Sequence, residues 1–297
     1  IKEVIADITV DGNNDEKESM ILLGADSENA DCLTDHVIVL THSYRSSKAI
    51  LTLAEAVNNG DFSVAMKALR DPACQENIGF SSKAGIEPVI EWLNLRFQQE
   101  TVMDAYSQVT RKYDASESTS ELVDAARTLL HSSAVLTLTH DGERGRKAIN
   151  QHAEQLLRKK LKTSENHRLF PGMPIILGVN HHDLDLYNGD LGIIIRTAAE
   201  GLKAIFPRGN AIQIVSLDRL RDFEPAFALT VHKAQGSEFD KVLYVLPEKK
   251  SPLLTRQIIY TAITRAKIKV HILGTEAILK KAIENREQRV GGIEIQG

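Results

Sequence analysis

Residues 228–240 have the sequence Ala-Leu-Thr-Val-His-Lys-Ala-Gln-Gly-Ser-Glu-Phe-Asp. An apolar strand ends within this stretch, and a run of polar side chains follows it. The hydrogen-bond donors of this run are Thr230, His232, Lys233, Gln235 and Ser237. Gly236 would let the backbone approach a ligand, and Glu238 could accept a hydrogen bond from a ribose hydroxyl. A loop of donors at the carboxyl end of a strand favours a phosphate-bearing partner, although an ordinary loop is the alternative on spacing alone.

Three further stretches place cations beside the end of an apolar run. The predicted helix over 255–265 ends in Arg265, which is suited to stabilising charge on a transferring phosphoryl group, although a cation there also complements the helix dipole. Tyr44 and Arg45 follow a predicted strand, in a stretch that is also typical of a capped helix start. Residues 137–147, Thr-Leu-Thr-His-Asp-Gly-Glu-Arg-Gly-Arg-Lys, could clamp a backbone phosphate or form a solvated basic loop.

Short β-branched runs alternate with helical patterns, and this alternation predicts an α/β fold with parallel strands. The predicted strands are Val37–Thr41, Ala134–Thr139, Ala226–Val231, Lys241–Leu246 and Lys269–Leu273. The predicted helices are Ser47–Asn58, a long one around Pro88–Val109, Ser120–His131, Arg146–Leu161, Thr255–Arg265 and Glu276–Glu287. In such a sheet, ligands are expected beyond the carboxyl ends of the strands.

The segment from Phe170 to Arg221 has a different texture, with short apolar runs separated by frequent turn signals. The runs are Met173–Val179, Gly192–Arg196, Leu202–Phe206 and Ala211–Val215. They predict a small antiparallel barrel inserted into the α/β domain. Asn188-Gly189 is predicted to be a hairpin apex, because this pair favours a positive φ.

Composition excludes several classes of protein. The 297 residues carry a net charge of −4, but residues 1–35 alone contribute −8, so a nucleic-acid site would have to be a local patch. No apolar run is long enough to span a membrane, which predicts a cytoplasmic protein. Cys32 and Cys74 form no Cys-x-x-Cys pair, and the adjacent His181 and His182 are more typical of a surface turn than of a metal site, so no metal site is predicted.

Taken together and in this order, the four polar stretches resemble the helicase motifs of the RecD family, the alpha subunits of exodeoxyribonuclease V within superfamily 1. The similar segments are residues 42–61 for motif IV, 135–150 for the family's Leu-x-x-x-Arg-x-Gly-x-x-Gly-x-x-x-Leu-Asn stretch, 172–192 for its SH3-like insertion, 230–239 for motif V and 260–266 for motif VI. The resemblance covers nearly the whole chain and is weakest over residues 1–35. Ser46, where the family often has Phe, and His181-His182, near the family's Asn-Asp, are departures.

This resemblance implies a RecA-like, P-loop-NTPase-type parallel sheet that forms the second motor lobe, with an inserted SH3-like β-barrel. The implied boundaries are 1–165 and 223–297 for the lobe and 166–222 for the insertion. The implied nucleotide site contains Arg45 and Arg265 at the γ-phosphate of ATP, with Tyr44, Gln235, Gly236 and Glu238 around them. The implied contacts to single-stranded DNA are Thr230 and His232, with Thr137, Arg144 and Asn150 as weaker candidates.

The resemblance also implies ATP, Mg²⁺, single-stranded DNA and RecB-like and RecC-like subunits as ligands and partners of the full-length protein. Nowhere in the chain is there a Gly-x-x-x-x-Gly-Lys-Ser/Thr sequence that would cradle phosphates. We therefore expect a fragment that lacks its N-terminal motor lobe, binds no nucleotide tightly alone and is inactive alone. The alternatives are a stand-alone RecD-like or relaxase-type superfamily 1 helicase, and a non-catalytic DNA-binding scaffold with the same fold.

Overall fold

The computed structural model of the protein describes residues 46–114, 119–163, 167–199 and 201–286. The predicted strand over 37–41, together with Tyr44 and Arg45, lies outside these residues. None of the described helices is long and apolar enough to cross a membrane.

The described residues alternate between helices and strands. In chain order the elements are α1 Lys48–Asn59, α2 Phe62–Arg70, β1 Ile78–Ser81, α3 Glu87–Arg96, α4 Glu100–Thr110, β2 Lys112–Tyr113, α5 Ser120–His131, β3 Ser133–Thr137, α6 Arg146–Leu161, β4 Pro174–Leu177, β5 Leu191–Thr197, β6 Gly201–Arg208, β7 Ala211–Ser216, β8 Phe223–Pro225, β9 Ala228–Thr230, β10 Phe239–Val245, α7 Arg256–Ile263, β11 Ala266–Leu273 and α8 Glu276–Glu284.

Five of these strands form a parallel sheet in the order β1-β11-β10-β3-β9. The predicted parallel α/β sheet is therefore confirmed, and its edge strand β1 is an addition to the predicted set. Alternate residues of each strand face opposite sides, as strand geometry requires. Val135 joins one hydrophobic core while its neighbours Ala134 and Leu136 join the other, so the sheet separates two apolar layers.

The helices follow the predicted pattern with two differences. Helix α2, Phe62–Arg70, is an addition to the predicted set. Helices α5 and α6 have the predicted bounds. The single long helix predicted around Pro88–Val109 is instead two helices, α3 and α4. Phe97 ends α3 and is fully buried, with edge-on ring contacts to Tyr106 at 6.0 Å and Phe227 at 6.4 Å. This aromatic cluster accounts for the break, which no proline or glycine marks in the sequence.

A second, largely antiparallel sheet is inserted in the chain between α6 and β9. Its order is β7-β6-β5-β4-β8, and β2 pairs with β5 in parallel. The predicted antiparallel strands are therefore present, and the pairings described form an open path from β7 to β8. Gly189 has a φ of +94° in the turn that leads into β5, at the end of the long connection 178–190 rather than at a tight hairpin apex.

Candidate functional site

One loop, residues 231–238, connects the carboxyl end of β9 to the amino end of β10. It is closed by turns, the first of which joins Ala234 N to Thr230 O at 3.0 Å. Gly236 adopts a φ of +87°, and a Cβ at this position would meet no other atom within 4 Å. The positive φ explains why glycine suits this turn, since a side chain there would have room but would strain the backbone. The loop therefore carries polar residues from one edge of the parallel sheet to the other.

Arg265 lies directly against the second half of this loop, at the junction between α7 and β11. Its Nη1 donates a hydrogen bond to the Ser237 carbonyl oxygen at 3.2 Å, and its Nε is buried with no hydrogen-bond partner among the described residues. Glu238, the next residue along the loop, forms a 3.3 Å ion pair with Lys267. The structure thus brings Arg265, Gly236 and Glu238 together, as the predicted nucleotide site requires.

The remaining predicted nucleotide-binding residues are less closely tied to this cluster. Gln235 lies in the same loop with an exposed side chain. Tyr44 and Arg45 lie outside the described residues, so their assignment stays a prediction. The loop also borders a pocket of about 560 Å³, whose lining includes Gly236, Glu238 and Lys267.

The position of this cluster corrects one expectation. The sequence predicted that ligands would bind beyond the carboxyl ends of the strands. Glu238 immediately precedes β10 and Arg265 immediately precedes β11, so both lie at the amino ends of these parallel strands. These two predicted nucleotide-binding residues therefore lie at the other ends of the strands from those expected, because the loop that starts at the carboxyl end of β9 crosses to the opposite edge before β10 begins.

The carboxyl edge of the sheet holds the residues predicted to contact DNA. Thr230, the last residue of β9, is half-buried, and its hydroxyl accepts a long hydrogen bond of 3.4 Å from Lys233 N. His232 follows it with an exposed side chain. Both are accessible to a ligand at the edge where β3 and β9 end. The structure therefore leaves the strongest two DNA candidates available.

The three weaker DNA candidates are buried. Thr137 has no exposed surface, and Arg144 and Asn150 are each 5% exposed. The Thr137 hydroxyl donates to the Thr139 carbonyl oxygen at 3.0 Å. Since the polar groups of all three are engaged by the protein itself, the structure favours a positioning role for them over the predicted contact with DNA.

Arg144 lies in the loop after β3 and binds the loops after β1 and β10, so it links three loops at the carboxyl edge of the sheet. Its Nε donates to the Gly85 carbonyl oxygen at 2.9 Å and its Nη2 to that of Lys83 at 2.6 Å, both after β1. Its guanidinium also lies 3.7 Å from the carboxylate of Glu248, after β10. An arginine can satisfy several carbonyls at once because its donors form a fixed, planar fork. This side chain therefore fixes the shape of the basic loop between β3 and α6.

Asn150 binds the backbone of β9, the last strand on one side of the parallel sheet. Its Oδ1 accepts a hydrogen bond from Ala228 N, and its Nδ2 donates to Ala228 O, both at 3.0 Å. Strand β9 is the last in the sheet, so this amide satisfies backbone groups that no further strand of the described chain pairs with. The side chain holds β9, and with it Thr230, against helix α6.

A charged cluster that the sequence reasoning did not single out lies beside these residues. Glu224 of β8 accepts hydrogen bonds from Arg146 Nη2, at the start of α6, and from Lys233 Nζ at 2.6 Å. Burial lowers the pKa of Lys233, and the neighbouring Arg146 lowers it further. Both cations lie inside the recognised motifs, but their shared partner comes from the inserted segment, so only the fold reveals the cluster.

The described residues give no support for a metal site. No group of three or more side chains able to hold a metal ion occurs among them. His181 is buried and its Nε2 lies 3.1 Å from the Arg221 carbonyl oxygen, whereas His182 packs edge-on against Tyr187. The two adjacent histidines therefore have separate structural surroundings.

Comparison with known proteins places these features in context. Residues 225–273, which contain the 231–238 loop and Arg265, match the UvrD-like helicase C-terminal domain. The RecBCD enzyme subunit RecD of Mycobacterium tuberculosis strain H37Rv is 30% identical over 264 residues, which cover 88% of this chain and 42% of that protein. The ATP-dependent RecD2 DNA helicase of Deinococcus radiodurans is 31% identical over 159 residues, covering 52% of this chain and 22% of that helicase.

The parallel sheet and the match over residues 225–273 first fit a class, the UvrD-like helicase C-terminal domain. Within that class the chain fits the C-terminal part of a RecD-type helicase, and the resemblance predicted from the motifs is confirmed. The chain spans 42–43% of the length of the mycobacterial RecD subunits that it matches.

Proposed function

We propose that this chain is the second motor lobe of an ATP-dependent 5′–3′ DNA helicase, the RecD-type alpha subunit of an exodeoxyribonuclease V complex. The complex would act in double-strand break repair and recombination in the cytoplasm. The lobe would comprise residues 1–165 and 223–297, and residues 166–222 would be an SH3-like insertion, whose sheet also includes β8 over Phe223–Pro225. The observation that carries the proposal is the loop over 231–238, which joins the edge bearing Thr230 and His232 to the edge bearing Arg265.

At the nucleotide edge, this chain supplies half of a cleft. ATP with Mg²⁺, held by a partner lobe that contains the phosphate cradle, would supply the free energy for movement. The Arg265 guanidinium has five N–H donors and uses one on Ser237 O, which leaves donors for the γ-phosphate. Gly236 and Glu238 flank Ser237, whose carbonyl oxygen Arg265 binds, and Arg45, Tyr44 and Gln235 are assigned to the cleft by resemblance. The residues present fit an anionic ligand, because a buried Nε of Arg265 lacks a partner among the described residues.

At the opposite edge, Thr230 and His232 would contact the backbone of single-stranded DNA. Thr137, Arg144 and Asn150 would position them through the hydrogen bonds described above. Contacts to phosphates carry no sequence information, so sequence preference should be weak, and binding should weaken as salt rises. Since the loop over 231–238 runs from Thr230 and His232 to Ser237, whose carbonyl oxygen Arg265 binds, closure of the nucleotide cleft on Arg265 would move the residues that contact DNA.

The partners proposed are RecB-like and RecC-like subunits, because the mycobacterial relatives are subunits of RecBCD enzymes. A stand-alone RecD-like helicase is the second candidate, supported by the similarity to the Deinococcus radiodurans enzyme. Co-purification of the full-length protein with RecB-like and RecC-like chains distinguishes the two.

The test of the motor proposal is ATP hydrolysis stimulated by single-stranded DNA in the full-length protein. Arg265→Ala should lower the turnover rate by about a thousandfold, since an arginine on the transferring phosphoryl group contributes roughly 10³–10⁵ in rate. Arg219→Ala is the matched control, because Arg219 is an exposed arginine of the inserted segment that pairs only with Asp183 among the contacts described. Unchanged turnover in Arg265→Ala would support the scaffold alternative instead.

A further inference from the structure

Arg146 and Lys233 form a site for an anionic group, and the carboxylate of Glu224 occupies it. The two cations come from different parts of the parallel-sheet domain: Arg146 begins α6 after β3, and Lys233 follows β9. Glu224 reaches them from β8, the strand that returns the chain from the inserted sheet. Its two carboxylate oxygens divide the task, with Oε2 on Arg146 and Oε1 on Lys233.

The cations of this cluster are incompletely satisfied by their one shared acid. Arg146 is 3% exposed, and its Nε has no hydrogen-bond partner among the described residues. Burial lowers the pKa of Arg146 as well as that of Lys233, and the charges of Asp141 and Asp222, respectively, offset only part of this effect. A second anionic group at this position would therefore stabilise both cations.

The space for such a group lies beside the cluster. A pocket of about 300 Å³ is lined by Arg146, Glu224 and Asn150, and also by the exposed cations Lys147 and Arg168 and the exposed imidazole of His140. The one other acid of its lining, Glu154, already accepts a hydrogen bond from Arg158 Nε at 2.9 Å. The rim is therefore dominated by positive charge, which favours an anionic ligand over a cationic or apolar one.

We propose that Arg146 and Lys233 bind a phosphate of the single-stranded nucleic-acid backbone, and that Glu224 holds their place until that phosphate displaces it. This inference rests on the proposed function, because it extends the DNA edge of Thr230 and His232. Carboxylate and phosphate oxygens suit the same guanidinium and ammonium donors, so one can replace the other at the same site. Glu224 then acts as an internal competitor that sets the affinity for DNA.

The competitor is attached to the inserted sheet, and this gives the site a second property. Strand β8 pairs with β4, with Ile176 opposite Glu224. A phosphate that displaces Glu224 would therefore loosen an ion pair that links the inserted sheet to α6 and to the 231–238 loop. Occupation of this edge by DNA would weaken one tie between the insertion and the lobe.

The test is the affinity of the full-length protein for fluorescent oligo-dT, measured by anisotropy over a salt series. Glu224→Gln keeps the shape of the side chain but removes the competing charge, so binding should become roughly threefold tighter or more. Lys233→Gln should weaken binding and reduce the slope of log K against log salt by roughly 0.7, the value for one phosphate on a single strand.

Glu154→Gln is the matched control, since Glu154 lines the same pocket but pairs with Arg158. It removes the same charge without freeing Arg146 or Lys233, so its affinity should stay close to that of the unchanged protein. Equal gains in DNA affinity for Glu224→Gln and Glu154→Gln would show that the effect comes from overall charge and would overturn the inference. Unaltered affinity in Glu224→Gln and Lys233→Gln would overturn it while leaving the proposed function intact. No binding of DNA by the unchanged protein would overturn both. Melting temperatures of each variant check that the fold is kept.

Discussion

The polar residues of the recognised motifs fall into two groups according to what their side chains bind. Arg265, His232 and Gln235 keep donors or exposed surface available to a ligand. Arg144 and Asn150 donate their hydrogen bonds to backbone carbonyl groups of the protein. A motif in sequence does not separate the two groups, because both need polar residues at fixed positions. Burial and hydrogen-bond partners do separate them.

The buried group makes a prediction at Asn150. Replacing it by alanine would leave both backbone groups of Ala228 without their partner in a buried place, which costs about 2 kcal/mol of stability. We expect Asn150→Ala to lower the free energy of unfolding by that amount in urea denaturation. Gln151→Ala is the control, because the next residue of α6 is exposed. A loss of DNA affinity with unchanged stability would instead restore the predicted DNA contact.

At the scale of elements, the two ends of a parallel strand serve different partners. The residues assigned to DNA follow the carboxyl ends of β3 and β9, and those assigned to the nucleotide precede β10 and β11. The loop over 231–238 is the covalent link between them. Its composition therefore changes along its length, from His232 next to β9 at one edge to Gly236 and Glu238 next to β10 at the other.

The sheet also contains a pH-sensitive contact between its strands. His271 of β11 lies over Gly79 of β1, where a Cβ would fall 2.5 Å from the ring Nδ1, and its Nε2 is 2.9 Å from Ser81 Oγ. Burial, followed by Lys269 and Lys83, lowers the pKa of His271. The unfolded chain therefore binds this proton more readily than the folded chain.

Stability should accordingly fall as the pH drops below about 6.5, the ordinary histidine value, towards the lower pKa of the folded state. His271→Gln removes the titrating group, so its free energy of unfolding should change less than that of the unchanged protein between pH 7 and pH 5. Urea denaturation at a series of pH values provides the comparison. Parallel curves for the two proteins would show that His271 does not contribute.

The success of sequence-based prediction varied with how local the signal was. Helices α5 and α6 were predicted with correct bounds because their apolar residues recur at helical spacing. The break between α3 and α4 depends on the burial of Phe97 against Tyr106 and Phe227, and Phe227 is distant in sequence. Strand β1 was missed because its four residues include Gly79, which is unusual in a strand. Glycine is needed there because the His271 ring occupies the space of a Cβ.

The candidate site shows the same division. Arg265, Gly236 and Glu238 could be assigned from motifs, and the fold brings them together. The sequence could not show at which edge of the sheet they lie, since this depends on where the loop after β9 rejoins the sheet. Glu224 was also beyond reach, because its partners Arg146 and Lys233 belong to other segments of the chain.

For the whole molecule, the proposed motor is incomplete within this chain. The 297 residues contain no Gly-x-x-x-x-Gly-Lys-Ser/Thr sequence, and phosphoryl transfer in such motors needs a phosphate cradle facing the arginines. By contrast, the proposed DNA edge, with Thr230, His232, Lys233 and Arg146, lies entirely within the described chain. The two activities should therefore separate when the chain is studied alone.

We expect the isolated chain to hydrolyse ATP no faster than a buffer blank, with or without oligo-dT, in an assay of phosphate release. The same preparation should still bind oligo-dT in low salt and lose it as salt rises, because the contacts proposed at its DNA edge are to phosphates. The full-length protein, assayed in parallel, is the positive control for turnover. Measurable hydrolysis by the isolated chain that Arg265→Ala abolishes would contradict the division of the nucleotide site between two lobes, since the complete phosphate cradle would then have to lie within these residues.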